Sequence, residues 1–212
     1  MILTKPLLTT LFLAVAAPAL QGCFPVIATG VAVGVLAATD RRTVGAQTED
    51  ESIEWKVSSR IKEKLGDKIH LNVTSYDRKV LLTGEVPNEQ ARETAGDIAS
   101  KVENVAGIYN ELAVAGTASL TSRSSDTFIT SKVKTRFIDA NQFAPNHVKV
   151  VTEAGVVYLL GIVNEGEAKA AIQVARTTDG VRKVVNVMQV VPEAETRRID
   201  SAIKGQPAPA QK

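Results

Sequence analysis

Two stretches of this chain repeat one another, and that repetition restricts the fold more than any single motif. Ile53, Val57 and Ile61 recur as Ile129, Val133 and Phe137, with Lys56 and Arg60 matching Lys132 and Arg136. Apolar residues four apart mark one face of a helix. Leu71 to Tyr76 and Lys79 to Val86 then alternate around Asp77-Arg78, and Val148 to Thr152 and Val156 to Val163 do so around Ala154-Gly155. Each copy therefore continues as a hairpin. A second helix follows near Asn88 to Glu103 and Asn164 to Thr178, where Asn164 and Glu167 have the spacing of a capping box. Val105, Ile108, Asn110 and Val114 correspond to Val181, Val184, Asn186 and Val190 and form a last strand. The order helix, strand, strand, helix, strand, taken twice, predicts an α+β fold of two tandem domains. In each, a small three-stranded sheet packs on two helices and buries one apolar side of every element. Gly84 and Gly161 occupy equivalent places in the second strand, where a missing side chain points to local backbone geometry, a bulge or a closely packed helix.

The segment ahead of the repeats has a different character. Lys5 gives it a positive start, Leu7 to Leu20 are apolar but too few to span a bilayer, and Gly22 is a small residue suited to cleavage. Cys23, the sole cysteine, follows at once. Leu20-Gln21-Gly22-Cys23 resembles the bacterial lipobox, which implies removal of residues 1–22 as a signal peptide. It also implies a diacylglycerol on the Cys23 thiol and an N-acyl chain on the new amine. Each buried CH₂ contributes about 0.8 kcal/mol, so several acyl chains hold a protein on a membrane almost permanently. Phe24, where an Asp would signal retention on the inner membrane, implies the periplasmic face of an outer membrane. Residues 23–47 are expected to be a lipidated, membrane-proximal tether, since the apolar run Phe24 to Thr39 is short for a span. The domains are placed at 48–115 and 116–192, joined by a small polar linker near Ala115 to Asp126. Residues 193–212, ending in Pro207-Ala208-Pro209-Ala210, are expected to be a flexible tail, with a fraying helix over Glu193 to Lys204 to which no function is attached.

Composition removes several functional classes. With 25 basic and 23 acidic residues, no general nucleic-acid affinity is implied. One acylated cysteine leaves no intrachain disulfide and no thiol nucleophile. Ser122, Ser124 and Ser125 read as linker rather than nucleophile elbow, and no Gly-rich phosphate loop is present. His70 and His147 hold equivalent places before the first strand of each copy, and repetition explains them without an active site. Two separated histidines provide no zinc ligand cluster. The chain is expected not to be an enzyme, and to carry no metal or cofactor beyond the covalent lipid on Cys23.

The element order, the strand glycines and the closing Val181-x-x-Val184-x-Asn186 resemble the BON domain, over about 48–115 and 119–192. With the lipobox in front, the whole is similar to outer-membrane lipoproteins carrying two BON domains. Ala38-Thr39-Asp40-Arg41-Arg42-Thr43-Val44-Gly45 and Asn72-Val73-Thr74 share that resemblance. It implies a non-enzymatic protein that supports outer-membrane integrity, binds anionic phospholipid through its second domain and gathers at division sites. Asp126-Thr127-Phe128-Ile129-Thr130 resembles the start of the family's lipid-contacting helix, with Phe where Trp is frequent.

Helical periodicity locates the same face from the residues alone. With Ile129, Val133 and Phe137 turned to the core, Phe128, Ser131, Thr135 and Ile138 fall on the opposite arc, flanked by Lys132 and Lys134. Apolar residues among cations suit an anionic interface. These six are the expected phospholipid-binding residues; the alternatives for Phe128 are a hydrophobic staple or packing against the first domain. The matching positions in the first copy are Ser52 and Lys62, which selects the second domain. Trp55 also lies away from its helix's core positions, and packing against the neighbouring domain is the preferred reading for it. Two other functions remain open. One is a protein-interaction module for outer-membrane assembly machinery, with Trp55 and the tail as contacts. The other is a small-ligand or ion sensor, for which the sequence shows no carboxylate cluster.

Overall fold

The computed structural model describes residues 40–66, 69–115 and 120–205, with side chains from 124 onward in the last stretch. In chain order the first repeat holds α1 (Val44–Leu65), β1 (His70–Tyr76), β2 (Lys79–Val86), α2 (Glu89–Ser100), β3 (Gly107–Asn110) and β4 (Ala113–Val114). The second holds α3 (Leu120–Ala140), a 3₁₀ turn (Pro145–His147), β5 (Val148–Glu153), β6 (Val156–Val163), α4 (Glu165–Arg176), β7 (Lys183–Asn186) and β8 (Gln189–Val190). A last helix, α5, spans Glu193–Ile203.

Local chemistry places the helix starts. Thr43 Oγ1 accepts the Ala46 N–H, Asn88 Oδ1 accepts the Ala91 N–H, and Asn164 with Glu167 forms the full reciprocal capping box. β1 and β5 pair antiparallel with β2 and β6, while the crossover through α2 or α4 returns the chain parallel to β2 or β6 on the far edge. The last strand breaks in two. Asn110 Oδ1 accepts the Leu112 N–H and Asn186 Oδ1 the Met188 N–H, and this kink turns Leu112 and Met188 into the helix-side cores before β4 and β8 resume. Gly84 and Gly161 answer to one cause: a Cβ there would lie 2.1 Å from the His70 carbonyl oxygen or 2.2 Å from that of His147. The paired strand passes too close for any side chain.

Three apolar clusters result. Ile53, Val57 and Ile61 of α1 pack with Val80, Leu82 and Val86 of β2 and with Ala91, Ala95 and Ala99 of α2. Ile129, Val133 and Phe137 pack with Val157, Leu159 and Val163 and with Ala168, Ala171 and Ala175. The third cluster, Tyr76, Leu81, Tyr158, Leu160 and Val187, draws on both sheets through the faces their own helices leave open. The expectation of one buried side per strand is thus corrected: Val80-Leu81-Leu82 and Val157-Tyr158-Leu159-Leu160 are apolar on both faces, and both faces are covered.

Both chain ends of the folded body also differ from expectation. Residues 40–47 are not tether. Arg41 is buried and donates to Glu167, Asp200 and the Ile162 carbonyl at 2.7–2.9 Å, while Arg42 donates to Asp40 and Asp50 and lies 4.0 Å over the Tyr76 ring. Residues 193–203 form the helix expected within 193–204, but it packs on the body rather than fraying in a flexible tail, because a buried guanidinium requires carboxylates and α5 supplies Asp200. Ser122, Ser124 and Ser125 belong to α3 rather than to a linker; helix propensity is a weak prior that tertiary packing overrides.

Candidate functional site: the outer face of the third helix

Two pins fix how α3 is rotated. The buried Asp126 carboxylate accepts the N–H groups of Ala154 and Gly155 at 2.9 and 2.8 Å, clamping the second turn of the helix to the β5–β6 hairpin. Thr130 Oγ1 donates to Thr152 Oγ1 at 2.7 Å. Asp50 plays the same part in the first repeat, accepting the N–H groups of Asp77 and Arg78. With Ile129, Val133 and Phe137 held in the core, the opposite arc points outward.

Phe128 and Ile138 are each 63% exposed, and Ser131, Lys134 and Thr135 are exposed beside them. Neither a staple role nor packing on the first domain fits such exposure of Phe128. Lys132 is half-buried: its ammonium lies 4.7 Å from the centre of the Phe128 ring and donates to Asp179 at 2.7 Å. That hydrogen bond holds the Asp179 carboxyl below its ordinary range. Arg136, one turn on, donates to the Val174 carbonyl and to the hydroxyls of Thr177 and Thr178. Phe128, Ser131, Lys132, Thr135 and Arg136 border a groove of 490 Å³ between α3 and the end of α4, with Lys134 and Ile138 outside it on the same arc. All six residues anticipated from periodicity therefore share one face. Arg136 and Asp179 complete it; the match of Arg136 to Arg60 was the only signal for the first, and Asp179, in a loop, had none.

Ser52 and Lys62, at the matching positions of the first repeat, are exposed without forming an apolar pair. Trp55 is 70% exposed, so the second domain does not cover it, contrary to the packing expected. Cys23 and the apolar run after it lie outside the described residues, and among the described residues no helix is long and apolar enough to cross a membrane.

The histidines stay apart, yet each gathers carboxylates, which the sequence did not show. His70 Nδ1 lies 2.8 Å from Glu85 and 3.7 Å from Glu153. Burial, with the nearby charges of Glu85 and Asp126, pushes the Glu153 carboxyl up against the opposing pull of Asn72 and His70. His147 lies 3.4 Å from Glu167. Burial opposes the charge of Glu167, but His147, Arg41 and the Asn164 N–H hold its pKa down to about 2.

The BON domain family matches residues 49–116 and 125–192. The outer membrane lipoprotein DolP of Haemophilus influenzae is 38% identical over 172 residues, covering 80% of this chain and 89% of its own. The 21 kDa hemolysin of Actinobacillus pleuropneumoniae is 35% identical, covering 72% of this chain and 79% of its own. Osmotically-inducible protein Y of Escherichia coli is 31% identical, covering 68% and 73%. The chain belongs to the BON-domain family, with two such domains in tandem.

Proposed function

We propose that this chain is a non-enzymatic protein of the outer membrane, held on the periplasmic face by acyl chains on Cys23, that rests on anionic phospholipid through α3. The observation that carries the reading is the paired exposure of Phe128 and Ile138 on one helix face between Lys132 and Lys134. Burying a Phe contributes about 1.5–3 kcal/mol and each Lys near an anionic surface about 1 kcal/mol, so the face alone binds weakly. An acyl anchor turns this into an intramolecular contact at high effective concentration. The name of the Haemophilus relative supports the placement at the outer membrane. The resemblance to two-BON-domain lipoproteins adds to this proposal a role in outer-membrane integrity and at division sites.

Vesicle flotation of a soluble form beginning at residue 24 tests the contact. Phe128→Glu and Ile138→Glu are expected to abolish flotation with anionic vesicles while the circular dichroism stays native. Val133→Glu buries an unpaired charge and is expected to unfold the domain instead. A folded Phe128→Glu protein that floats like the parent sinks the reading. The anchor is checked separately: Cys23→Ala should lose acyl label and leave the membrane fraction. The exposed Trp55 favours a second reading, a protein partner such as the outer-membrane assembly machinery, because tryptophan is enriched at the cores of interfaces.

A further inference from the structure

A histidine and two glutamates meet at the junction of the repeats, and both repeats contribute. His70 opens β1, Glu85 lies on β2 and Glu153 ends β5. Strand residues alternate, so Glu85 shares with Leu81 the face of β2 turned away from its helices. His70 Nδ1 stands 2.8 Å from Glu85 Oε2 and 3.7 Å from Glu153 Oε1. Asn72 donates to Glu153 Oε2 at 2.7 Å, which leaves the other oxygen facing the imidazole. One nitrogen and two oxygens thus converge, all within 4.8 Å of one another.

Charge and geometry both call for a cation here. Glu85 and Glu153 are only 6% and 7% exposed. The charged groups acting most strongly on Glu153 are His70, Glu85 and Asp126, two of them of its own sign. Like charges buried together are costly, and a divalent ion held between two carboxylates offsets both. Imidazole nitrogen and carboxylate oxygen are both donors that zinc takes, and three protein ligands leave a fourth position to water. A cavity of 350 Å³ reaches His70 and Glu153 between β1, β5 and α3 and provides room for that water. Tetrahedral zinc with bonds near 2.0–2.1 Å sets its donor atoms roughly 3.3 Å apart. The two distances from His70 Nδ1, 2.8 and 3.7 Å, straddle that value, and the two carboxylates offer oxygens within 4.8 Å of one another that a shared ion would draw together. Asn72 is placed as the outer partner that orients a ligating carboxylate.

We propose that His70 Nδ1, Glu85 and Glu153 form a zinc-type divalent-cation site bridging the two repeats. His70 ligates through its unprotonated Nδ1, as an imidazole ligand must. Two ligands come from the first repeat and one from the second, and the bound ion therefore ties the halves together across the sheet interface. His147 provides an internal comparison, because its carboxylate neighbours Glu167 and Asp200 are already neutralised by Arg41.

The test is titration of zinc chloride into the untagged full chain in detergent, followed by calorimetry and competition with a chromophoric chelator. One equivalent should bind and raise the thermal midpoint. Glu153→Gln should weaken affinity at least tenfold and remove the thermal shift, Asn72→Ala should weaken it about tenfold, and His147→Gln should leave it unchanged. In the parent protein, where no variant can misfold, zinc should move the imidazole resonances of His70 and not those of His147. Absence of stoichiometric zinc binding, parental affinity in Glu153→Gln, or a response at His147 in place of His70 would overturn the proposal.

Discussion

Lys132 serves two neighbours at once, the Phe128 ring and the Asp179 carboxylate, and this limits what it offers a membrane. Asp179→Asn removes the competing anion from an almost fully exposed loop position, so the urea midpoint should stay at the parental value. Binding of the soluble form to anionic vesicles should strengthen by up to about fivefold, as expected for about 1 kcal/mol per released lysine. The gain should fade with added salt, since surface attraction decays over about 8–10 Å at ordinary ionic strength. Unchanged flotation at low salt would mean that Lys132 does not face the lipid. Phe128 and Ile138 were legible in the sequence because a helix advances with a fixed period. The Lys132–Asp179 pair was not, because 47 residues separate partners that meet only when α3 packs beside the end of α4.

Among the elements, each hairpin is held by an aspartate on the preceding helix, Asp50 or Asp126, and the repeat shows why both occur at the same place. Asp126→Ala leaves the N–H groups of Ala154 and Gly155 without their acceptor. Hydrogen bonds to a charged group contribute about 1.5–3 kcal/mol each, and loss of this pair should cost about 3–5 kcal/mol by urea denaturation, since removing a negative charge near Glu153 returns a little. Asp126→Asn keeps one acceptor and should cost about half as much. A parental midpoint for Asp126→Ala would show that α3 is positioned by its apolar face alone. The lesson of Gly84 and Gly161 lies at the same scale. Their position in the strand was readable, but the reason, a histidine carbonyl little more than 2 Å from where a Cβ would stand, required the paired strand to be in place.

At the scale of the whole molecule, the two repeats share the apolar cluster between their sheets, and Asp40 to Arg42 clasp both. Arg41 reaches Glu167 and Asp200 in the second half, whereas Arg42 reaches Asp50 in the first. Because Glu167 is held below its ordinary value of 4.5, at about 2, its stabilising contribution is whole above the unfolded value and is lost as pH falls through the folded one. Asp50, also held low, acts in the same direction, and Glu153, held high, acts against it. Arg41→Met removes a principal cause of the Glu167 depression. The variant should lose about 3 kcal/mol at neutral pH, since two carboxylates are left without their cation, and should unfold in acid at a higher pH than the parent. Acid titration followed by circular dichroism measures both; coincident curves would show that the clasp adds nothing to stability.

Sequence periodicity by itself determined the repeated order of elements, the helix faces that enter each core and the outward arc of α3, because these depend on spacing within one segment. Tertiary structure alone decided what lies against the second face of each sheet. Apolar runs such as Val80-Leu81-Leu82 state that both sides are buried without stating by what. It also decided that Arg41 is interior and α5 part of the body, since a charged residue becomes buried only where distant carboxylates converge on it. The meeting of His70, Glu85 and Glu153 has the same origin. Local pattern records the spacing of side chains along one element, while contacts between elements depend on how independent apolar faces settle against each other.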